Sequence, residues 1–341
     1  MSLLLRTSLA LALVLALPFS SLAATKKKVP ATAAGAAAAK PADHDYTGAI
    51  VIDAADGKVL FEDNADVSAL PASVTKLMNL LLCVEAIDAG KVRLSDRITV
   101  TAEEAGMGGS QVYLKQGEVF TVEELLYAMM VQSANDAALG LAKHVGGERE
   151  SFVAQMNQRA AQLGMSHTKF VTPHGLASPK QEADTSTPRD IATLSREMIR
   201  HPLVLKLTST KKRVFRREPL MEMQNHNKLL WQIPGCDGLK TGYLARGGFA
   251  LAATVYRDGK RVIAVVMGSR GTHGRQRDAI ARRLMAEAFP KASPLPAHLI
   301  PQEPEPEAAV PAGAEPATPA AEGEEGADEA APMIRFNPPG K

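Results

Sequence analysis

Two apolar, β-branched runs near the end of the chain, Phe249 to Arg257 and Arg261 to Gly268, are joined by Asp258-Gly259. Asp-Gly between two such runs is a strong hairpin signal, because a tight two-residue turn needs residues that accept a left-handed backbone. Two shorter strands are expected near the start of the body, Ala49 to Asp53 and Lys58 to Glu62, around the turn Ala55-Asp56-Gly57. Between these strand pairs the pattern is helical. Helices are expected over Ser73 to Ala89, closed by Gly90, and over Thr121 to Met130, Asn135 to His144, Ser151 to Leu163 and Pro188 to Arg200. A last helix runs from Arg275 to Phe289. Strands at both ends with helices between them predict an α/β (α+β) domain, its terminal strands sharing one antiparallel sheet flanked by helices.

The rest of the chain is organised around this body, expected over residues 44–290. Residues 1–24 have the layout of a secretory signal: Arg6, the apolar run Leu9 to Leu17, and Ser21-Leu22-Ala23 before a cleavage point after Ala23 or Ala24. The apolar run is shorter than the roughly 20 residues a spanning helix needs, so no transmembrane anchor is expected after cleavage. Residues 25–43, rich in Ala, Lys and Pro, read as a spacer. Residues 291–341, rich in Pro, Ala and Glu, read as a disordered tail. An exported protein of the periplasm or cell envelope follows from these features.

The formal net charge is +2, which gives no general support for a nucleic-acid partner. It conceals an asymmetry. Lys291 to Lys341 holds nine acidic and three basic residues, a net of −6, leaving +8 for the remainder. Of the two cysteines, Cys83 lies in a very apolar helical run and reads as a small buried hydrophobe. An oxidising compartment permits a bridge to Cys236, but spacing does not decide it. Trp231 and Leu229-Leu230 read as core. Asp43-His44-Asp45 has no second ligand cluster and no His-Glu-x-x-His accompanies it, so neither a metal nor another cofactor is expected.

Three short motifs carry chemistry. In Ser73-Val74-Thr75-Lys76 the residues three apart share a helix face, so the Lys76 amine reaches the Ser73 hydroxyl. A serine needs an adjacent base to become a nucleophile, and a lysine serves if burial or a nearby cation lowers its pKa. Ser133-Ala134-Asn135, 60 residues on (133 − 73), falls in a turn between helices. From there a hydroxyl can relay a proton and an amide can hold a peptide backbone. Lys240-Thr241-Gly242 precedes the hairpin and reads as an edge strand. There Lys240 and Thr241 could meet a carboxylate, and Gly242 would let a ligand backbone approach closely.

In this order the three motifs resemble those of penicillin-binding proteins and serine β-lactamases. The stretches Pro71 to Leu82, Gln132 to Ala137, His174-Gly175-Leu176 and Asp237 to Gly268 are similar to the low-molecular-mass D-Ala-D-Ala carboxypeptidases, the S11 serine peptidases. That resemblance implies a β-lactamase/transpeptidase-like fold with a helical subdomain. It implies an acyl-enzyme on Ser73 with Lys76 as base, and Ser133 and Asn135 as the second catalytic pair. Lys240, Thr241, Gly242 and Tyr243 would be substrate-binding, with an oxyanion hole formed by the amides of Ser73 and Tyr243. An arginine after the last strand would bind the substrate carboxylate, by position Arg275, with Arg270 close behind. His174 would be structural. The implied partners are a peptidoglycan pentapeptide or cross-linked stem peptide, with β-lactams as covalent inhibitors.

Many members of that family carry a second, β-rich domain and an amphipathic anchor helix, where this chain has its Pro- and Glu-rich tail. A DD-endopeptidase acting on cross-links would use the same residues. A class A β-lactamase fits less well: it has Ser-Asp-Asn where this chain has Ser133-Ala134-Asn135, and no Glu-x-x-x-Asn lies between Asn135 and Lys240. A non-catalytic wall-binding protein would not need the complete motif set.

Overall fold

The long apolar hairpin forms as the sequence predicts and sits at the centre of the sheet. A computed structural model describes residues 45–177 and 182–301. The signal, the spacer and the tail beyond 301 lie outside the described residues. In chain order the elements are β1 (Gly48–Asp53), β2 (Val59–Asp63), α1 (Lys76–Asp88), β3 (Arg97–Thr99), α2 (Ala102–Ala105), β4 (Val119–Thr121), α3 (Val122–Val131), α4 (Asn135–Gly146), α5 (Arg149–Gln162), α6 (Pro188–Met198) and α7 (Pro202–Ser209). There follow β5 (Lys212–Arg217), β6 (Leu220–Gln224), α8 (Leu229–Gln232), β7 (Cys236–Leu244), β8 (Gly248–Arg257), β9 (Lys260–Ser269) and α9 (Arg275–Ala288).

The main sheet has the order β2-β1-β9-β8-β7, and all four pairings are antiparallel. The first strand closes on the last, Gly48 opposite Met267 through Asp53 opposite Val262. Successive side chains of β9 enter different cores. Val262, Ala264 and Val266 pack with Ile280, Ala281 and Leu284 of α9, while Ile263, Val265 and Met267 join the core of the helical layer. Burial on both faces explains why these strands read as unbroken apolar runs rather than alternating ones.

On the other face α1 runs through the helical layer. Leu77, Met78, Leu80, Leu81, Cys83 and Val84 are all fully buried, as expected of a helix apolar on every side. Helix α3 starts with a capping box between Thr121 and Glu124. The cysteines are free, and the buried Cys83 thiol donates to Asn79 Oδ1 at 3.4 Å.

Three features depart from the sequence reading. The packed chain continues past 290: Ala292 and Leu295 are buried, Ser293 N donates to Asp53 Oδ2 at 2.7 Å, and Leu295 N donates to Gly259 O at 2.7 Å. These two apolar side chains, in a stretch otherwise resembling the tail, hold it to the end of the sheet. The hairpin β5–β6 was hidden by its composition, Lys-Arg-Val-Phe-Arg-Arg. It docks by stacking, with the Arg213 guanidinium 3.7 Å from the Tyr127 ring centroid and Phe215 stacked on Phe120 at 5.1 Å. Leu229 and Leu230 are buried, but Trp231 is 42% exposed with the Lys228 ammonium 5.1 Å over its ring.

Candidate active site

Ala72 to Thr75 form one 3-10 turn that runs directly into α1 at Lys76. The turn puts Ser73 half-buried at the helix mouth and Lys76 wholly buried beside it. Lys76 Nζ donates to Asn135 Oδ1 at 2.7 Å and to His174 O at 2.6 Å, and it lies 3.1 Å from Ser73 Oγ. Burial pushes the Lys76 pKa well below that of a free lysine, and the nearby Lys240 adds to the effect. Asp184 and Asp136 oppose it. A neutral amine has two protons and one lone pair. With both protons taken by carbonyl oxygens, which cannot donate, the lone pair is left for the Ser73 hydroxyl, which can.

The second motif turns sharply ahead of α4. Ser133 is held in the left-handed region at φ 62°, a strained setting for a non-glycine residue. Its hydroxyl accepts from Lys240 Nζ at 2.9 Å. Asn135 donates from Nδ2 to Gly108 O at 2.7 Å and from its backbone to Ser110 O at 2.8 Å. Asp136 extends the same turn. Its carboxylate accepts from Val112 N at 3.2 Å and from Leu114 N at 3.1 Å, and so holds the loop carrying Ser110 beside the cleft. Burial raises the Asp136 pKa. An acid directly after Asn135 at a helix start was the available signal, and the sequence reading passed over it.

The third motif lies on β7, an edge strand as expected. Lys240 is buried, and desolvation followed by the charge of Arg277 brings its pKa down to about 7. Gly242 is explained differently from the expectation. A Cβ there would lie 2.5 Å from Pro71 O and 3.0 Å from Ser73 N, so the missing side chain admits the Ser73 turn itself. Gly175 does the same from the other side: at φ +84°, its Cβ would lie 2.0 Å from Ala72 O. The His174-Gly175 loop thereby reaches the Ser73 turn and delivers the His174 carbonyl to Lys76. Burial, and then Lys76, hold the His174 ring down to about 3, so it is neutral.

A cavity of about 330 Å³ opens between these elements, lined by Ser73, Ser133, Thr241, Gly242, Tyr243 and Arg277 among others. A larger cavity of about 760 Å³, between β1 and α6, holds none of the motif residues.

The structure places the arginines differently from the expectation. Arg275 and Arg270 are exposed and neither lines the cavity, whereas Arg277 is buried and does. The left-handed Gly274 starts α9, a Cβ there would meet the Arg277 guanidinium at 3.0 Å, and two residues further along a helix is more than half a turn round. The Arg277 guanidinium lies 6.0 Å from the Phe249 ring centroid and donates to Asp278 Oδ1 at 2.6 Å. The sequence reading also missed His226 on the cavity wall, an exposed residue whose pKa is pushed down by desolvation and by the cations Lys240, Lys228, Lys76 and Arg277. Away from the cleft, Glu85, Glu197 and His201 come within metal-binding range of one another. Arg159 bridges the two glutamates there, and His201 pairs with Asp88.

A five-stranded antiparallel sheet, a buried central helix and this serine–lysine cleft define the class of penicillin-binding-protein folds. The chain belongs to the S11 peptidases, the D-alanyl-D-alanine carboxypeptidase family, whose model matches residues 35–271. It is 35% identical over 248 residues to the D-alanyl-D-alanine carboxypeptidase DacF of Bacillus subtilis (strain 168), covering 72% of this chain and 62% of that protein. Among solved structures, the D-alanyl-D-alanine carboxypeptidase DacD from Francisella tularensis superposes with a TM-score of 0.67 at 28% identity, over 74% of this chain and 72% of that one. Penicillin-binding protein D2 from Listeria monocytogenes, in its ampicillin-bound form, does so at 0.64 and 33%, over 72% of this chain and 97% of that one. The chain spans about three fifths of the length of the curated relatives it matches.

Proposed function

We propose that the chain is a serine-type D-Ala-D-Ala carboxypeptidase that trims peptidoglycan stem peptides through an acyl-enzyme on Ser73. The observation that carries this reading is the Lys76 amine, buried, with two carbonyl oxygens taking its protons and the Ser73 hydroxyl at 3.1 Å. Lys76 takes the Ser73 proton as Oγ attacks the carbonyl carbon between the two D-alanines. The amides of Ser73 and Tyr243 receive the developing oxyanion, each such donor being worth about 3–4 kcal/mol in comparable hydrolases. The C–N bond breaks, and the proton taken up by Lys76 is relayed through Ser133 and Lys240 to the amine of the departing D-alanine, which leaves Lys76 neutral again. Water then hydrolyses the ester and returns the Ser73 hydroxyl. Arg277, with Thr241, receives the terminal carboxylate, and Asn135 holds both Lys76 and the donor backbone. A β-lactam presents the same strained acyl group and traps Ser73.

The signal-like start of the chain supports an exported enzyme working in the periplasm or cell envelope. No helix among the described residues is long and apolar enough to cross a membrane.

The test is D-alanine release from a stem pentapeptide by wild type and by Ser73→Ala, with a cross-linked dimer in parallel. Release by wild type alone supports the reading. Release by both variants sinks it, and cleavage confined to the dimer would make the enzyme an endopeptidase.

A further inference from the structure

Behind the Ser73–Lys76 turn lies a buried carboxylate that the steps above do not use. Asp184 is 3% exposed. It accepts from Val171 N at 2.7 Å, Thr172 N at 2.9 Å, Thr172 Oγ1 at 2.8 Å and Thr75 Oγ1 at 3.0 Å. All four donors are neutral. An ionised carboxylate offers about four acceptor positions and no donor, which matches this set. Burial raises the Asp184 pKa, and the hydrogen bonds work against that rise.

The donors belong to two segments that meet at the reacting pair. Thr75 is fully buried and stands between Ser73 and Lys76 in the same turn. Thr172 opens the loop that leads to His174 and Gly175, and its hydroxyl also accepts from Gly175 N at 2.8 Å. That loop supplies the His174 carbonyl 2.6 Å from Lys76 Nζ, and its Gly175 lies against Ala72. One carboxylate thus ties the turn bearing the hydroxyl and the amine to the loop that directs the amine's lone pair.

We propose that Asp184 is the positioning residue of the Ser73–Lys76 pair, fixing the turn that carries both against the loop 171–175 whose carbonyl orients the Lys76 amine. This rests on the reading of Ser73 as the acylated nucleophile. Lys76 is faced by Asn135 and Asp136 from α4, by Lys240 from β7 and by His174 and Asp184 from the loops. Of these, Asp184 and Asp136 favour the charged amine, and Lys240 disfavours it. Asp184 therefore has two separable effects: its hydrogen bonds set geometry, and its charge sets the pH at which Lys76 becomes a base.

The experiment measures the rate of acylation by fluorescent penicillin from pH 5 to 9, using full-length wild type, Asp184→Asn and Thr75→Val. Labelled fraction and unfolding temperature are recorded for each. Asp184→Asn should lower the plateau rate roughly tenfold to a hundredfold, the usual consequence of a small misplacement at a reacting centre. It should also move the ascending limb to lower pH, because removing a negative charge lowers the Lys76 pKa. Thr75→Val should lower the plateau but leave the limb in place, since the charge remains. An Asp184→Asn protein that acylates with the wild-type plateau and limb overturns the proposal. So does a loss due entirely to a smaller labelled fraction reacting at the wild-type rate, which is a folding defect. If Asp184→Asn does not fold, a Thr75→Val protein reacting at the wild-type rate overturns it. A wild type that takes no label would instead overturn the acyl-enzyme reading beneath it, whatever the variants do.

Discussion

Lys240 Nζ donates to Ser133 Oγ at 2.9 Å, joining two motifs 107 residues apart in the chain. The contact brings a buried amine next to the hydroxyl proposed to hand a proton to the leaving amine. Burial and Arg277 hold Lys240 at about 7, against 10.5 for a free lysine. Between these values the unfolded chain binds a proton that the folded protein does not. The stability contributed by this group therefore rises with pH from about 7 to 10.5 and is lowest below 7. Replacing Lys240 by Met should raise the unfolding temperature, relative to wild type, more at pH 6 than at pH 10. The same substitution should slow penicillin acylation by roughly a hundredfold, as expected for loss of a proton-transfer group. Thermal unfolding at the two pH values and labelling kinetics check both parts.

Arg277, not Arg275, should determine the preference for a free terminal carboxylate. Wild type should hydrolyse a D-Ala-D-Ala peptide with a free carboxylate faster than its C-terminal amide. Arg277→Gln should lose about ten- to a hundredfold in kcat/KM on the free acid, and little on the amide, because a charge-assisted hydrogen bond is worth about 1.5–3 kcal/mol. Arg275→Ala should behave as wild type on both peptides. Equal losses from the two arginine variants would return the assignment to the exposed residue.

Two glycines should tolerate no side chain because backbone occupies the space. Gly175→Ala places a methyl 2.0 Å from Ala72 O, and Gly242→Ala places one 2.5 Å from Pro71 O. Both press on the Ser73 turn, so each should slow acylation and lower stability, by about 1–3 kcal/mol for the repacking alone. Gly90→Ala is the comparison: it has φ +68° and open space around it. It should lose only the left-handed backbone preference, about 1–2 kcal/mol, and acylate at the wild-type rate. Chemical denaturation and labelling kinetics separate the two classes.

These glycines show where a sequence stops being informative. Ser73 and Lys76, spaced three apart, and the edge strand through Lys240 are local periodicities, and both could be read directly. The central hairpin was legible for the same reason, since its strands are buried on both faces. Arg277 was not, because the side of α9 that faces the cleft depends on how the helix meets the sheet after Gly274. Asp184 was invisible because its partners come from two separate segments, one of them 109 residues away in the chain. Gly242 was read as room for a ligand, and only the fold reveals that the Pro71–Ser73 backbone fills it. The β5–β6 hairpin was missed because its cations stack on rings of α3 and β4 rather than marking a solvated loop.

The ion pair at the base of β7, a buried Arg261 with a half-buried Asp237, should be a stability element separate from catalysis. Arg261, with no exposure, donates to both oxygens of Asp237, at 2.8 and 2.7 Å. Arg261→Met leaves a half-buried carboxylate without its cation and should cost about 1–3 kcal/mol. The protein that remains folded should still acylate at the wild-type rate. Urea unfolding and the rate per labelled molecule measure the two effects independently.

The most direct test of the central claim is whether Ser73 becomes acylated. Full-length wild type and Ser73→Ala would be incubated with fluorescent penicillin, and intact mass and peptide mapping would locate the adduct. Wild type should carry one penicilloyl group, mapped to the peptide containing Ser73, and Ser73→Ala should carry none. A folded wild type that stays unlabelled, or an adduct that persists in Ser73→Ala, would contradict that claim.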